Sequence, residues 1–201
     1  MVGKIVVLVS GTGTNMEALA DACERGDVPA EVVAIIADRD CIGLRAAEKR
    51  GIPAEKIDFG DFDSREAWSE ALRDAVAGYE PDLVVSAGLM RITSPVFVDA
   101  FQGRLINLHP SLLPAFPGPR AVRDALEHGV RVTGSTVHFI DYDVDQGAIL
   151  LQEPVRIKPG DTEEALHDRI KEVEHRLLPH ACRLILEGKV KLSGGKVMVR
   201  A

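Results

Sequence analysis

At 201 residues, with 46% hydrophobic and 27% charged side chains, the chain is long enough for one well-packed domain and too short for two large ones. Its net charge of −7 speaks against binding a nucleic-acid backbone, which requires a basic patch, while a small phosphate held by backbone amides stays open. No apolar run approaches the roughly 20 residues that span a bilayer, and the scattered Cys23, Cys41 and Cys182 fit neither a disulfide framework nor a zinc knuckle; a cytoplasmic protein without membrane contact is expected.

The chain opens on Ile5–Val9, an apolar run too short for a signal-peptide core that reads as a buried strand. Asn15 to Arg25 reads as a helix and Val32–Ala37 as a second buried strand, rich in β-branched residues and without alternation. Gly43–Arg50 and Ser64–Ala77 follow as helices, the latter with Asp63 or Ser64 as N-cap. Leu83–Ala87 is a strand. Pro95–Phe101 is a short helix capped by Ser94, with Pro95 at its first position, and Leu105–Leu108 is a further strand. Strand and helix in alternation, with short connections, predict a doubly wound, mostly parallel α/β sheet. The second half changes character: Val132–Ile140 alternates and Ala148–Ile157 follows closely, so the two are expected to pair antiparallel. A long helix runs from Asp161 or Thr162 to about Glu187. Val190–Val199, with Ser193-Gly194-Gly195 at its tip, reads as a terminal hairpin.

Two segments carry chemistry. Ser10-Gly11-Thr12-Gly13-Thr14-Asn15 lies between a strand and a helix, where free N–H groups favour an anion. Met16 occupies the third-glycine position of a dinucleotide fingerprint and no Gly-Lys-Ser/Thr follows, so phosphate binding and an ordinary strand–helix turn both stand. Asp38, at the end of the second strand, could serve as the ribose acid of a dinucleotide site. In Asn107-Leu108-His109, residues two apart on a strand project to one face, at the carboxyl edge where open α/β sheets bind ligands. An amide can hold an oxyanion and an imidazole can move a proton, although a histidine at a strand end can equally be structural. Asp145 can be a plain turn residue, Arg65 a solvated helix residue, and Met90 and Ile92 core residues. On the last helix Leu166, Ile170, Val173 and Leu177 form an apolar stripe with Glu174 at its border, a place that suits holding an amine or making a surface salt bridge.

Asn107-x-His109-Pro110-Ser111-Leu112-Leu113-Pro114, together with Gly134-Ser135 and Asp145-x-Gly147-x-Ile149, resembles the folate-dependent formyltransferases. The Ser-Gly-x-Gly-x-Asn loop, Ser86-Ala-Gly-Leu-Met-Arg-Ile92 and Glu174-His175 narrow the resemblance to the branch that formylates glycinamide ribonucleotide, over residues 3 to 185. The resemblance implies a single domain, with residues 1–104 as the phosphate-binding half and 105–201 as the catalytic and folate half, working as monomer or homodimer. It implies that Gly13, Thr14 and Asn15 hold the substrate phosphate and that Lys171, Glu172, Val173 and Glu174 complete the substrate site. Arg65, Met90, Arg91, Ile92, Thr93, Asn107, Asp141, Tyr142, Asp143, Val144 and Asp145 would surround 10-formyltetrahydrofolate, the formyl donor, with no metal. Asn107, His109 and Asp145 would be catalytic, Asp145 raising the pKa of His109.

The chain departs from the family after Pro117-Gly118, where Pro119-Arg120-Ala121-Val122 replace the usual histidines; loop shape and folate affinity are open there. Rival readings are a methionyl-tRNA formyltransferase or a formyltetrahydrofolate hydrolase, both of which carry a further domain, and a dinucleotide-binding module.

Overall fold

The structure, a computed structural model, describes residues 2–200. Seven strands form one sheet: β1 (Gly3–Val9), β2 (Ala30–Ala37), β3 (Ala54–Lys56), β4 (Leu83–Ser86), β5 (Leu105–His109), β6 (Val132–Phe139) and β7 (Ile149–Arg156), in the order β3-β2-β1-β4-β5-β6-β7. The pairings are parallel from β3 to β5, and antiparallel between β5 and β6 and between β6 and β7. The doubly wound α/β sheet with an antiparallel extension is therefore as expected. β8 (Val190–Ser193) and β9 (Lys196–Val199) form a separate hairpin.

The continuous apolar run of β1 reflects burial of both its faces. Ile5, Val7 and Val9 pack with α1 (Thr14–Glu24), α2 (Ile42–Lys49) and α6 (Glu163–Leu186), through Met16, Leu44 and Leu178 among others. Val6 and Leu8 face α3 (Arg65–Gly78) and α4 (Pro95–Ala100), through Trp68, Leu72 and Phe97. Trp68 is fully buried, and its indole N–H donates to the Ile57 carbonyl at 2.9 Å.

Of the alternative caps, the structure uses Ser64, which accepts from Ala67 N at 3.1 Å, and Thr162, which accepts from Ala165 N at 3.2 Å. Ser94 occupies the expected cap position before Pro95, but its hydroxyl makes no capping bond; its main-chain N–H donates instead to Ser69 Oγ at 2.9 Å. Three further elements were not foreseen: a short 3-10 helix over Phe59–Asp61, β3 and helix α5 (Ala121–His128). β3 is three residues at the sheet edge and includes Glu55 and Lys56, so it lacks an apolar run. Helix α5 follows a proline-rich loop and has no side-chain cap; it ends on Gly129 in the left-handed region.

Candidate active site

β5 carries Asn107 and His109, and antiparallel pairing with β6 sets Asn107 opposite His138 and His109 opposite Thr136. Directly opposed residues project to the same face, so this register adds His138 to the pair read from β5. The Asn107 amide donates to His138 Nε2 at 3.2 Å, while His138 Nδ1 lies 2.9 Å from the Phe139 carbonyl. Thr136 Oγ1 donates to the Ser111 carbonyl at 2.7 Å and accepts from Leu113 N at 3.1 Å, fixing the loop that leaves His109.

Asp145 closes over this face from the loop after β6. Its Oδ2 is 3.4 Å from His109 Nδ1 and accepts from Gly118 N at 2.8 Å, and its Oδ1 is 3.6 Å from His138 Nε2. Burial alone would raise the Asp145 carboxyl, but His138, the Gly118 N–H and His109 together hold it below its ordinary value. Asp145 has φ 55°, a conformation aspartate tolerates better than most residues. Gly147 anchors the loop's far end, because a Cβ there would collide with the Phe139 carbonyl. Gly134 is constrained likewise by the Glu153 carbonyl and the Leu112 side chain.

His109 is buried, at 4% exposure. Its Nε2 lies 2.9 Å from the Phe116 carbonyl. Both ring nitrogens thus face acceptors, an arrangement that suits the imidazolium. Burial nevertheless prevails: it pushes the His109 pKa below its ordinary value, against the opposing pull of Phe116 and Asp145. Asp145 does raise the His109 pKa, the direction expected of it, but it does not set the net shift. Desolvation of the charged ring outweighs one carboxylate at 3.4 Å.

Two cavities adjoin at this face. The first, about 300 Å³, is lined by Asn107, His109, His138, the segment from Met90 to Thr93 and the segment from Asp141 to Asp145. Met90 is 67% exposed, Ile92 53%, Tyr142 56% and Val144 46%, so these are not core residues. They gather apolar surface around a polar floor, the usual make-up of an organic-ligand site. Asp38 is withdrawn from any ribose role. Its buried carboxylate accepts from Arg39 Nη2 at 2.6 Å and from Arg91 Nε at 3.3 Å. Arg91 also stacks over Phe59, 4.2 Å from the ring centre.

The second cavity, about 220 Å³, is lined by Gly11 to Asn15, Lys171 and Glu174, with Arg120 and His167 at its side. The first N–H groups of α1 have no partner within the helix and are free for an anion. Gly13 is required for packing as well: φ is 79°, and a Cβ would lie 2.8 Å from Gly43 Cα. Glu174 lies below the surface and has no salt-bridge partner among the described residues. It is 4% exposed and accepts from Asn15 Nδ2 at 2.9 Å and Ser135 Oγ at 3.3 Å. Burial raises its pKa, with Asn15, Ser135 and Lys171 opposing. Gly88, Met90, Leu108, Pro110 and Pro119 line both cavities.

Three residues expected at the site lie outside both linings: Arg65 is exposed at the start of α3, Glu172 points to solvent, and Val173 packs with Val122, Leu166 and Ile170. His138 and Arg120 were missed. The alternation of β6 separates His138 from Val137, but its partner depends on strand register, which no local pattern supplies.

A buried imidazole between a half-buried amide and a half-buried carboxylate, beside two adjoining small-molecule cavities on a parallel sheet with an antiparallel extension, suits acyl transfer between two ligands. The chain belongs to the formyl transferase family, whose model matches residues 3–182. Within that family it is 49% identical over 191 residues to a phosphoribosylglycinamide formyltransferase from Mycobacterium tuberculosis, covering 95% of this chain and 88% of the relative. It is 40% identical over 190 residues to the Escherichia coli protein of that name, covering 94% and 90%. The solved glycinamide ribonucleotide transformylase 1 from Symbiobacterium toebii superposes with a TM-score of 0.97 at 45% identity, over 99% of this chain and 94% of that one.

Proposed function

We propose that this chain transfers the formyl group of 10-formyltetrahydrofolate to the amine of glycinamide ribonucleotide, a step of purine biosynthesis. The observation that carries this reading is the shared wall between the two cavities, with Asn107, His109 and Asp145 on one side and the glycine loop and Glu174 on the other. The phosphate sits on the α1 N-terminus with Lys171 nearby, and the folate lies against Met90 to Thr93 and the Asp141–Asp145 loop. The substrate amine attacks the formyl carbon where the two cavities meet and gives a tetrahedral oxyanion. The Asn107 amide and the protonated Nε2 of His109, which exchanges Phe116 for this oxygen, stabilise it. The bond from carbon to the folate nitrogen then breaks, and the proton lost by the amine is delivered to that nitrogen with His109 as the relay. Asp145 orients the ring and favours its charged form. His138 orients Asn107.

The test is to mix the protein with 10-formyltetrahydrofolate, with and without glycinamide ribonucleotide, and follow deformylated folate and formylated product. Turnover requiring the ribonucleotide is expected. Equal folate turnover without it would identify a hydrolase, and none in either case would overturn the reading.

A further inference from the structure

Gly134-Ser135 has a packing reason at its first residue; at its second it has a hydroxyl that the mechanism above does not use. Ser135 is fully buried on β6, with its Oγ 3.2 Å from the His109 carbonyl and 3.3 Å from Glu174 Oε1. On the other side of that carboxylate, Oε2 accepts from Asn15 of the glycine loop. A continuous chain thus runs from Asn15 through Glu174 and Ser135 to the main chain of His109. It joins the substrate-side cavity to the catalytic strand.

From this geometry we propose that Ser135 is a positioning residue, holding Glu174 in register with His109 so that substrate bound on the glycine loop is aligned with the catalytic imidazole. The inference rests on the functional reading above. A hydroxyl carries one proton, and Ser135 has two acceptors. With Glu174 neutral, the acid donates to Ser135 and the hydroxyl serves the His109 carbonyl. With Glu174 ionised, the hydroxyl turns to the carboxylate. The groups that set this balance are Asn15 on α1, Ser135 on β6, Lys171 on the same helix, and Arg120, Glu163 and His167 around the cavity.

The tests are Ser135→Ala and Ser135→Thr, alone and with Glu174→Gln. A hydrogen bond to a charged group contributes about 1.5–3 kcal/mol. Ser135→Ala should therefore raise KM for glycinamide ribonucleotide roughly tenfold or more, leave KM for the folate unchanged and move the acidic limb of kcat/KM to higher pH. Ser135→Thr, which keeps the hydroxyl, should restore the limb. In the Glu174→Gln background Ser135→Ala should shift no limb. A readout without substrate is the pH at which melting temperature stops falling relative to Glu174→Gln, and Ser135→Ala should move it upward. An unmoved limb and an unmoved melting profile, or an equal effect of Ser135→Ala in the Glu174→Gln background, would overturn the proposal. Wild-type protein that fails to use the ribonucleotide would overturn the functional reading instead, with the melting profile still reporting on Ser135.

Discussion

Asp145 holds one carboxylate oxygen 3.4 Å from Nδ1 of His109, and the same oxygen is fixed by the Gly118 N–H. The carboxylate is thus anchored independently of the ring it faces. His109→Ala should lower kcat by about 10²–10⁴, the range for a positioned acid–base group. Asp145→Asn keeps size and removes charge, and should do comparable damage. The double variant should lose little more than either single one, which steady-state kinetics will show.

The same pair sets a pH dependence. The His109 pKa already lies below its ordinary value, with Asp145 pulling it up. Asp145→Asn removes that pull, so any limb that requires protonated His109 should move to lower pH. A pH–rate profile unchanged between the two proteins would reduce Asp145 to a turn residue.

Glu174→Gln should stabilise the fold while impairing it as an enzyme. The Glu174 pKa is raised in the folded state by burial, so folding favours the protonated acid. Its stability contribution is complete below the unfolded value of about 4.3 and is lost as pH rises through the folded value. The variant should melt higher than the wild type at pH 8, and the gap should close toward pH 4. Thermal denaturation across that range is the measurement; a gap independent of pH would contradict it.

The outline of the fold was open to sequence reading where a strand is buried on both faces, as in β1 and β2, because such strands leave uninterrupted runs of Ile and Val. It was closed where an element is held by its neighbours. β3 consists of Ala54, Glu55 and Lys56 and exists because it pairs with β2. The chemistry divides the same way. Asn107 and His109 share a face by local periodicity, whereas His138 reaches Asn107 only through register. Glu174 lay at the edge of an apolar stripe, and only the packing of α6 against β6 and α1 makes it buried.

Asn15→Ala removes the amide that donates to Glu174 at 2.9 Å and one side of the glycine-loop cavity. It should raise KM for the ribonucleotide about tenfold, with kcat little changed, because the lost contact exists equally before and during reaction. A large fall in kcat at constant KM would assign the loop another role.

Dinucleotides should not bind. Met16 is fully buried where the fingerprint has a glycine, and Asp38 is committed to Arg39 and Arg91. Calorimetric titration with NAD and NADP should give no saturable heat below millimolar concentration. Tight binding of either would revive a redox function.

The wall common to the two cavities has a kinetic consequence. Its residues, Gly88, Met90, Leu108, Pro110 and Pro119, bear no hydroxyl, thiol or amine side chain that could carry a formyl group from one side to the other. With no such carrier where the two cavities meet, direct transfer is expected, the formyl group leaving its donor in the act of joining its acceptor. Labelled formyl should not scramble between two pools of folate while the acceptor is withheld, and initial-rate plots with both substrates varied should intersect rather than run parallel.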